Sequence, residues 1–194
     1  NIGGSVLPDP EMVNFYRHAK ERKLWIDMEV GVNMLEFARM IMLWNMEDKN
    51  IAKDERKPIW LYVMNYGGSA DMVNMFIDVM EASVTPVYTV NIGVAASAGA
   101  LFFIAGHKRF MMKNAKVIIH EGSAEFGGDA VKIIDQTESY KAMLKKTKEF
   151  ILNHTNIPKR DLMKKRNNDW EIDAAYCIEN GVADCLVESL DDII

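Results

Sequence analysis

The chain has 194 residues, of which 49% are apolar and 26% are charged, and it carries a net charge of −5. This size and composition predict one globular domain over residues 1–194 with a substantial core. The negative charge argues against nucleic-acid binding, and the longest weakly polar run, residues 90–106, is too short to span a membrane.

The two cysteines, Cys177 and Cys185, have neither the C-x-x-C spacing of a redox pair nor the spacing of metal ligands. The first residues also lack the charged and apolar regions of a signal peptide. We therefore expect a cytoplasmic protein without a metal site. Phosphate-binding, dinucleotide-binding and zinc-protease motifs do not occur, so no cofactor is predicted either.

The first half of the chain alternates between helical and strand patterns. Residues 1–14 are expected to form a mobile N-terminal segment, because the first ten are rich in glycine and proline. The apolar spacing then predicts, in order, a helix over 11–23, a strand over 24–26, a helix over 32–47, a strand over 59–64, a helix from Ser69 or Asp71 to about Ala82, and a strand over 87–92.

The second half contains one unusually long helix. The predicted elements are a helix over 98–105, strands over 109–112 and 116–120, an extended segment over 121–128, a helix over 129–153, a helix near 160–165, a helix over 173–180 and a strand over 182–187. This alternation is typical of an α/β fold with a mostly parallel sheet. At roughly 35 Å the helix over 129–153 is longer than one small core needs, so we expect part of it to pack on another subunit.

Residues 93–100 are small, and they surround a single hydroxyl, that of Ser97, between a predicted strand and a predicted helix. A helix N-terminus offers free N–H groups that stabilise an oxyanion, so Ser97 is a candidate nucleophile. The alternative is that the Ser97 hydroxyl only caps the helix, a role that serine performs well.

A serine nucleophile needs a base and an acid that orients the base. Among four histidines, His120 is the candidate base, because it ends a predicted strand, where open α/β folds place their chemistry. A purely structural role is the alternative for His120. Asp169 is the candidate acid, but its default role is in a turn, and spacing alone does not separate it from Asp173 and Asp184.

Backbone N–H groups near Ser97 are candidate donors to an oxyanion. The Gly67-Gly68 pair follows a predicted strand, and glycine allows its N–H to approach a ligand closely. The N–H of Ala98, next to Ser97, is a second candidate. A double glycine is equally suited to a simple turn, so this motif is weak when taken singly.

Five motifs occur in an order that resembles one known family. They are Phe15-Tyr-Arg-His-Ala-Lys-Glu-Arg22, residues 59–69 ending in Gly-Gly-Ser, Ile92-Gly-Val-Ala-Ala-Ser-Ala-Gly-Ala100, residues 109–120 ending in Val-Ile-Ile-His, and residues 168–184 from Asn-Asp-Trp to Gly-Val-Ala-Asp. From about Phe15 to Val187 the chain is similar to the proteolytic subunit of the Clp protease, a Ser-His-Asp serine endopeptidase family with the ClpP/crotonase-like fold.

The resemblance implies Ser97 as the nucleophile, His120 as the base and Asp169 as the orienting acid. It implies an oxyanion hole made by the N–H groups of Gly68 and Ala98. It also implies that an extended segment pairs with the substrate backbone as an added strand. The residues of this segment are Glu121, Gly122, Ser123, Ala124, Glu125, Phe126 and Gly127.

The implied fold is a layered β-β-α spiral with a protruding handle helix, residues 129–153. Family members form two stacked heptameric rings around a closed chamber, and an AAA+ unfoldase feeds polypeptide into that chamber. The resemblance therefore implies a homo-oligomer that hydrolyses unfolded polypeptides by chemistry that itself needs no ATP. Trp60, Tyr62, Val90 and Met112 fall near positions of the family's unfoldase-docking pocket, with the strand core as their alternative role.

The chain departs from the family's pattern around the site. Met64 and Tyr66 replace an asparagine and a proline before Gly-Gly, Ala98 replaces the usual methionine, and Glu121-Gly122 replaces Gln-Pro. These changes predict a reshaped pocket that accepts small apolar side chains weakly. The alternatives to an active peptidase subunit are a catalytically silent ring subunit, a phage prohead-type protease and a crotonase-like acyl-CoA enzyme.

Overall fold

One sheet organises the fold in the computed structural model, which describes residues 9–164 and 169–194. In chain order the helices and strands are α1 (Pro10–Lys20), β1 (Lys23–Ile26), α2 (Met34–Glu47), β2 (Ile59–Asn65), α3 (Ala70–Ala82), β3 (Val87–Ala96), α4 (Ala98–Ile104), β4 (Lys108–Met111), β5 (Lys116–Ile119), α5 (Ala130–His154), α6 (Lys159–Lys164), β6 (Trp170–Asp173), α7 (Ala174–Glu179) and β7 (Cys185–Leu186). Short 3-10 turns occur at Asp48–Asn50, Lys53–Glu55 and Leu190–Asp192.

The sheet is parallel except at one edge. Strands β1, β2, β3, β4 and β7 lie side by side in that order, and each neighbouring pair is parallel. β5 pairs in parallel with the last residues of β3, and β6 pairs antiparallel with β5. This topology confirms the predicted α/β fold with a mostly parallel sheet.

β3 links the two parts of the sheet. Its residues 88–91 pair with β4, whereas residues 94–96 pair with β5. β3 is thus four residues longer than the predicted strand, because the small residues that resemble a turn in the sequence find a partner in β5. The exchange of partners directs the end of β3, and Ser97 after it, toward β5 and β6.

Apolar side chains cover both faces of the sheet, as near-continuous apolar strands require. Leu61 and Val63 belong to the larger cluster, which α2, α3 and α4 complete, and Tyr62 between them belongs to a smaller cluster. This alternation places the two clusters on opposite faces of β2. The largest fully buried side chains of the larger cluster are those of Phe76, Phe102 and Phe103.

The smaller cluster contains all four residues that the resemblance associates with docking. Tyr62 and Val90 are buried in it, and Trp60 and Met112 pack against it while remaining half-buried. All four residues pack within or against this one cluster on a single face of the sheet, as residues of a strand core do. A docking role for these four residues stays a prediction.

α5 is a single helix of 25 residues, and it begins and ends one residue later than predicted. The carboxylate of Asp129 caps it by accepting the Lys132 N–H at 2.9 Å. Within Ala130–His154, which lies entirely in the described part of the chain, only Ile151 is buried, and Val131 and Ile134 are exposed. Much of the helix therefore lacks a covering layer within one copy of the chain.

Three stretches need separate comment. β6 is absent from the sequence prediction, because its residues become a strand only by pairing with β5. The predicted last strand shortens to Cys185–Leu186. Residues 1–8 and 165–168, which include parts of the predicted mobile segment and of the Asn-Asn-Asp turn, lie outside the described residues, and α1 takes in residues 10–14.

Candidate active site

Ser97 connects β3 to α4 in an unusual backbone conformation, with φ 54° and ψ −123°. Few non-glycine residues adopt such a positive φ, and where they do the surrounding structure must hold them. The Ser97 N–H donates to the Ile118 carbonyl at 2.9 Å, and the Ser97 carbonyl accepts the Ala100 N–H at 3.0 Å. Ser97 is the N-cap residue of α4, but its hydroxyl makes no capping hydrogen bond.

Two glycines allow close backbone contacts beside Ser97, Gly67 with Ser97 itself and Gly68 with Val30. Gly67 and Gly68 have φ values of 108° and 144°, and a Cβ at Gly68 would come within 2.3 Å of the Val30 carbonyl oxygen. Val30 brackets Gly68 by donating to the Gly67 carbonyl and accepting from the Ser69 N–H, each at 2.8 Å.

The N–H groups of Gly68 and Ala98 are the predicted oxyanion donors. Within residues 9–164 and 169–194, neither N–H has a hydrogen-bond acceptor. Both residues line the same cavity as Ser97. They are therefore available as donors to a group bound beside the hydroxyl.

His120 and Asp169 lie next to each other because of strand register. Ile119, the last residue of β5, pairs with Trp170, the first residue of β6. The residue after β5, His120, therefore meets the residue before β6, Asp169. Accordingly, His120 Nδ1 lies 3.4 Å from Asp169 Oδ1, with the His120 side chain 34% exposed and that of Asp169 74% exposed. The structure thus brings these two predicted residues together at the edge of the sheet.

The two rival acids have other partners. The Asp173 carboxylate caps α7 by accepting the Tyr176 N–H at 2.8 Å. The Asp184 carboxylate accepts two hydrogen bonds from the Arg109 side chain, at 2.7 and 3.0 Å. Of the three aspartates that spacing leaves open, only Asp169 contacts His120 among the contacts of the described residues.

A cavity of about 280 Å³ lies against Ser97 and His120. Gly68, Ala98 and Trp170 complete its polar end. Its remaining walls are mainly apolar and come from α3, α4, β5, α5 and α6. They include Val73, Ala100, Leu101, Ile119, Met143, Leu144, Ile151 and Leu162. The arrangement can hold an apolar side chain next to a serine hydroxyl, a histidine and two free N–H groups.

Residues 121–127, the predicted substrate-binding segment, follow His120 without regular secondary structure. Glu121 is half-buried, and residues 122–127 are exposed. The segment runs beside α5, where Tyr140 donates its hydroxyl to the Glu121 carbonyl at 2.9 Å and packs edge-on against Phe126 with ring centroids 5.7 Å apart.

Tyr140, Lys148 and Trp170 are among the residues that line the cavity and that sequence reasoning did not assign to the site. Tyr140 and Lys148 fall on the α5 stripe that also carries Leu144 and Ile151, so helical spacing was the available signal for both. Trp170 lies in the unpredicted strand β6, and no local pattern marks it.

The described residues form neither a metal-binding cluster nor a membrane-spanning helix. Over residues 9–164 and 169–194, no three His, Cys, Asp or Glu side chains are grouped so as to hold a metal ion. In the same ranges, no helix combines the length and the apolar character that crossing a membrane requires.

Comparison with known proteins gives one consistent result. A family model described as Clp protease matches residues 11–189. The ATP-dependent Clp protease proteolytic subunit 2 of Treponema pallidum (strain Nichols) is 28% identical over 185 residues, which cover 94% of this chain and 90% of that protein. The subunit of the same name from Bifidobacterium longum (strain NCC 2705) is 29% identical over 195 residues, with coverages of 98% and 91%. Proteolytic subunit 1 of Leifsonia xyli subsp. xyli (strain CTCB07) is 30% identical over 178 residues, with coverages of 90% and 87%.

Proposed function

Because the chain belongs to the Clp protease family and is a serine endopeptidase of the ClpP type, we propose that Ser97, His120 and Asp169 are its catalytic triad. The observation that carries the proposal is the strained Ser97 backbone, whose hydroxyl makes no capping bond and lines a cavity together with His120. The contact between His120 Nδ1 and Asp169 Oδ1 supplies the third member.

The chemistry follows from these positions. Ser97 Oγ attacks the carbonyl carbon of a peptide bond while His120 Nε2 takes the hydroxyl proton. The N–H groups of Gly68 and Ala98 stabilise the oxyanion that forms. His120 then gives the proton to the leaving amine, and a water activated by the same ring hydrolyses the acyl-enzyme and restores Ser97. Asp169 orients the ring and stabilises its protonated form.

The exposed segment over residues 121–127 would bind the substrate backbone as an added strand. In support, none of the N–H or carbonyl groups of residues 122–126 has a hydrogen-bond partner among the described residues. Its two ends are held, by Tyr140 at Glu121 and by Gln136 at the Gly127 N–H, at 2.9 and 3.3 Å. A held but unpaired backbone is available to an extended peptide.

The apolar cavity would receive the side chain that precedes the cleaved bond. Its volume of about 280 Å³ and its apolar walls favour an uncharged, mainly apolar side chain. Two of the departures from the family's pattern, Ala98 and Tyr66, differ in whether they contact this pocket. Ala98 lines the cavity, whereas Tyr66 is 71% exposed and does not line it.

We further propose one domain over residues 1–194 that assembles into two stacked heptameric rings, with α5 as the handle between them. The exposed apolar residues Val131 and Ile134 on a helix about 37 Å long support packing on another copy. The relatives are named ATP-dependent proteolytic subunits, which supports an AAA+ unfoldase as partner and unfolded polypeptide as substrate. Two free thiols, Cys177 and Cys185, support a reducing cytoplasm as the location.

Labelling with a fluorophosphonate probe tests the triad. The assembled chain should be modified at Ser97, as located by peptide mass spectrometry, and Ser97→Ala should abolish both labelling and peptide cleavage. Ser123→Ala is the matched control, because Ser123 lines the same cavity, and this variant should still be labelled. Absence of labelling in the folded, assembled wild type would overturn the proposal in favour of a silent subunit.

A further inference from the structure

One ion pair lines the cavity beside Ser97. Lys148 Nζ lies 2.6 Å from Glu121 Oε1, and each of the two side chains is 27% exposed. Among the described residues that line the cavity, these are the only lysine, arginine, aspartate or glutamate side chains. A mainly apolar pocket therefore contains one lysine and one glutamate whose charges balance each other.

Glu121 is held to α5 at both its backbone and its side chain. Its carbonyl accepts the Tyr140 hydroxyl at 2.9 Å, and its carboxylate contacts Lys148. Tyr140 and Lys148 are about 12 Å apart along the helix axis. The Glu121 carbonyl and the Glu121 carboxylate are thus held by two different turns of α5. These two contacts order the Glu121 side chain, so the ion pair is a fixed part of the cavity wall.

We propose that the Glu121–Lys148 pair determines the charge selectivity of the cavity, so that it accepts uncharged side chains and excludes both acidic and basic ones. This inference rests on the proposed function, because it assumes that the cavity receives the side chain next to the cleaved bond. Glu121 and Lys148 are specificity-determining residues in this scheme and take no part in bond cleavage.

The exclusion follows from what a charged side chain would have to displace. An incoming carboxylate gains Lys148 only by separating it from Glu121, which leaves a second carboxylate unpaired in a half-buried wall. An incoming ammonium group gains Glu121 only by separating it from Lys148, which leaves the Lys148 ammonium unpaired. Each exchange removes a charge from water and creates an unpaired one, which outweighs the new contact. An uncharged side chain requires neither step.

Removing one charge of the pair should therefore make the cavity select side chains whose charge is opposite to the one that remains. In Glu121→Gln the unpaired Lys148 should attract acidic side chains, and in Lys148→Met the unpaired Glu121 should attract basic ones. The measurement is kcat/KM for fluorogenic peptides that differ only at the residue before the cleaved bond, Glu against Gln and Lys against Met. We expect the Glu/Gln ratio to rise by about fivefold or more in Glu121→Gln, and the Lys/Met ratio likewise in Lys148→Met.

A matched pair on the same helix provides the control. Lys145 and Glu149 form a longer contact of 3.8 Å, are 78% and 57% exposed, and do not line the cavity. Lys145→Met and Glu149→Gln should leave both ratios as in the wild type. The exchanged double variant Glu121→Lys/Lys148→Glu should restore the wild-type preference for uncharged side chains, because it restores charge balance.

The inference is overturned if the ratios in Glu121→Gln and Lys148→Met equal those of the wild type, or if Lys145→Met shifts them as much as Lys148→Met does. Its failure is distinguishable from failure of the proposed function, because Ser97 labelling is measured on the same samples. Wild type that labels at Ser97 but shows unchanged ratios in the variants overturns only the role of the ion pair. Wild type that neither labels nor cleaves overturns the proposed function, and this inference with it.

Discussion

The backbone of Gly67 lies directly against the side chain of Ser97. A Cβ atom at Gly67 would stand 2.7 Å from Ser97 Cβ and 3.1 Å from Ser97 Oγ, and Gly67 has a φ of 108°. The position therefore requires glycine for two independent reasons, the absence of space and the left-handed backbone. A side chain at position 67 would therefore displace the Ser97 side chain.

We expect Gly67→Ala to destabilise the fold by at least about 1–3 kcal/mol through backbone strain alone, and to remove probe labelling at Ser97. Urea unfolding and probe labelling measure the two effects. Gly127→Ala is the control for stability, because a Cβ at Gly127 meets no atom within 4 Å, and it should lie within about 0.5 kcal/mol of wild type. Normal labelling in Gly67→Ala would contradict the expectation.

Asp169→Asn should lower kcat by about 10²–10⁴, because an amide cannot stabilise the protonated His120 ring and favours the wrong tautomer. Steady-state peptide cleavage measures the effect. Glu171→Gln is a neighbouring control in the same strand, since Glu171 pairs with Lys116 at 2.8 Å and is 61% exposed. The control should stay within about twofold of wild type, and equal losses in the two variants would assign Asp169 a structural role.

Arg22 and Asp48 form a buried bidentate pair whose loss should be costly. The guanidinium donates to the Asp48 oxygens at 2.6 and 2.7 Å, Thr85 donates a third hydrogen bond at 2.8 Å, and Asp48 is 1% exposed. Arg22→Met should destabilise the protein by about 3–5 kcal/mol, since it leaves a buried charge unpaired. Arg39→Met, which removes only the exposed contact to Glu36, should cost about 1 kcal/mol or less in urea unfolding.

The same pair has a defined pH dependence. The hydrogen bonds from Arg22 hold the pKa of Asp48 below its ordinary value, and burial opposes them. A lowered folded-state pKa stabilises the fold fully above the unfolded value of about 3.9. This contribution is lost as the pH falls below that value and through the folded-state pKa. Acid titration of the unfolding free energy should show a smaller decrease over this window in Asp48→Asn than in wild type.

His107 should make the fold less stable in mild acid. Its Nδ1 accepts the Val87 N–H at 2.8 Å, which requires that nitrogen to be unprotonated. Burial lowers the pKa of His107, and the nearby Glu81 charge partly opposes this. The unfolded chain therefore takes up the proton first, and stability decreases as the pH falls below the ordinary value of about 6.5. His107→Asn keeps an acceptor that does not titrate, so its melting temperature should fall less between pH 7.5 and 5.5.

The two cysteines should differ sharply in reactivity. Cys177 is fully buried, and burial raises the pKa of its thiol to about 12. Because only the thiolate reacts, Cys177 should resist a disulfide reagent at pH 8 in the native protein, whereas the half-buried Cys185 should react. Thiol titration of the native wild type should show one reactive thiol, and unfolding should expose a second. The Cys185→Ser variant should show no reactive thiol when native and one after unfolding.

The sequence predicts most elements well because their patterns are local. The strand over 59–64 and the helix over 98–105 differ from β2 and α4 by one residue at one end. Apolar runs mark these elements without reference to the rest of the chain. The family motifs similarly indicated Ser97, between a predicted strand and a predicted helix, and His120, at the end of a predicted strand.

What the sequence did not predict depends on contacts between distant segments. β6 exists as a strand through its register with β5. The resemblance implied Asp169, but spacing alone did not separate it from Asp173 and Asp184. The contact of Asp169 with His120 follows from the register of β5 and β6, and the other two carboxylates have other partners. The contact between Glu121 and Lys148 joins a loop residue to a helix residue 27 positions later. No pattern in a single segment contains this information.

The antiparallel pairing of β5 with β6 also has a consequence during synthesis. The strand after Asp169 pairs with a strand about 50 residues earlier, so His120 meets its acid only through a contact of long sequence separation. A nascent chain that has emerged only as far as α5 holds Ser97 and His120 but not Asp169. The contact between His120 and Asp169 thus forms only after β6 has left the ribosome, so a chain still in synthesis lacks the third member of the proposed triad.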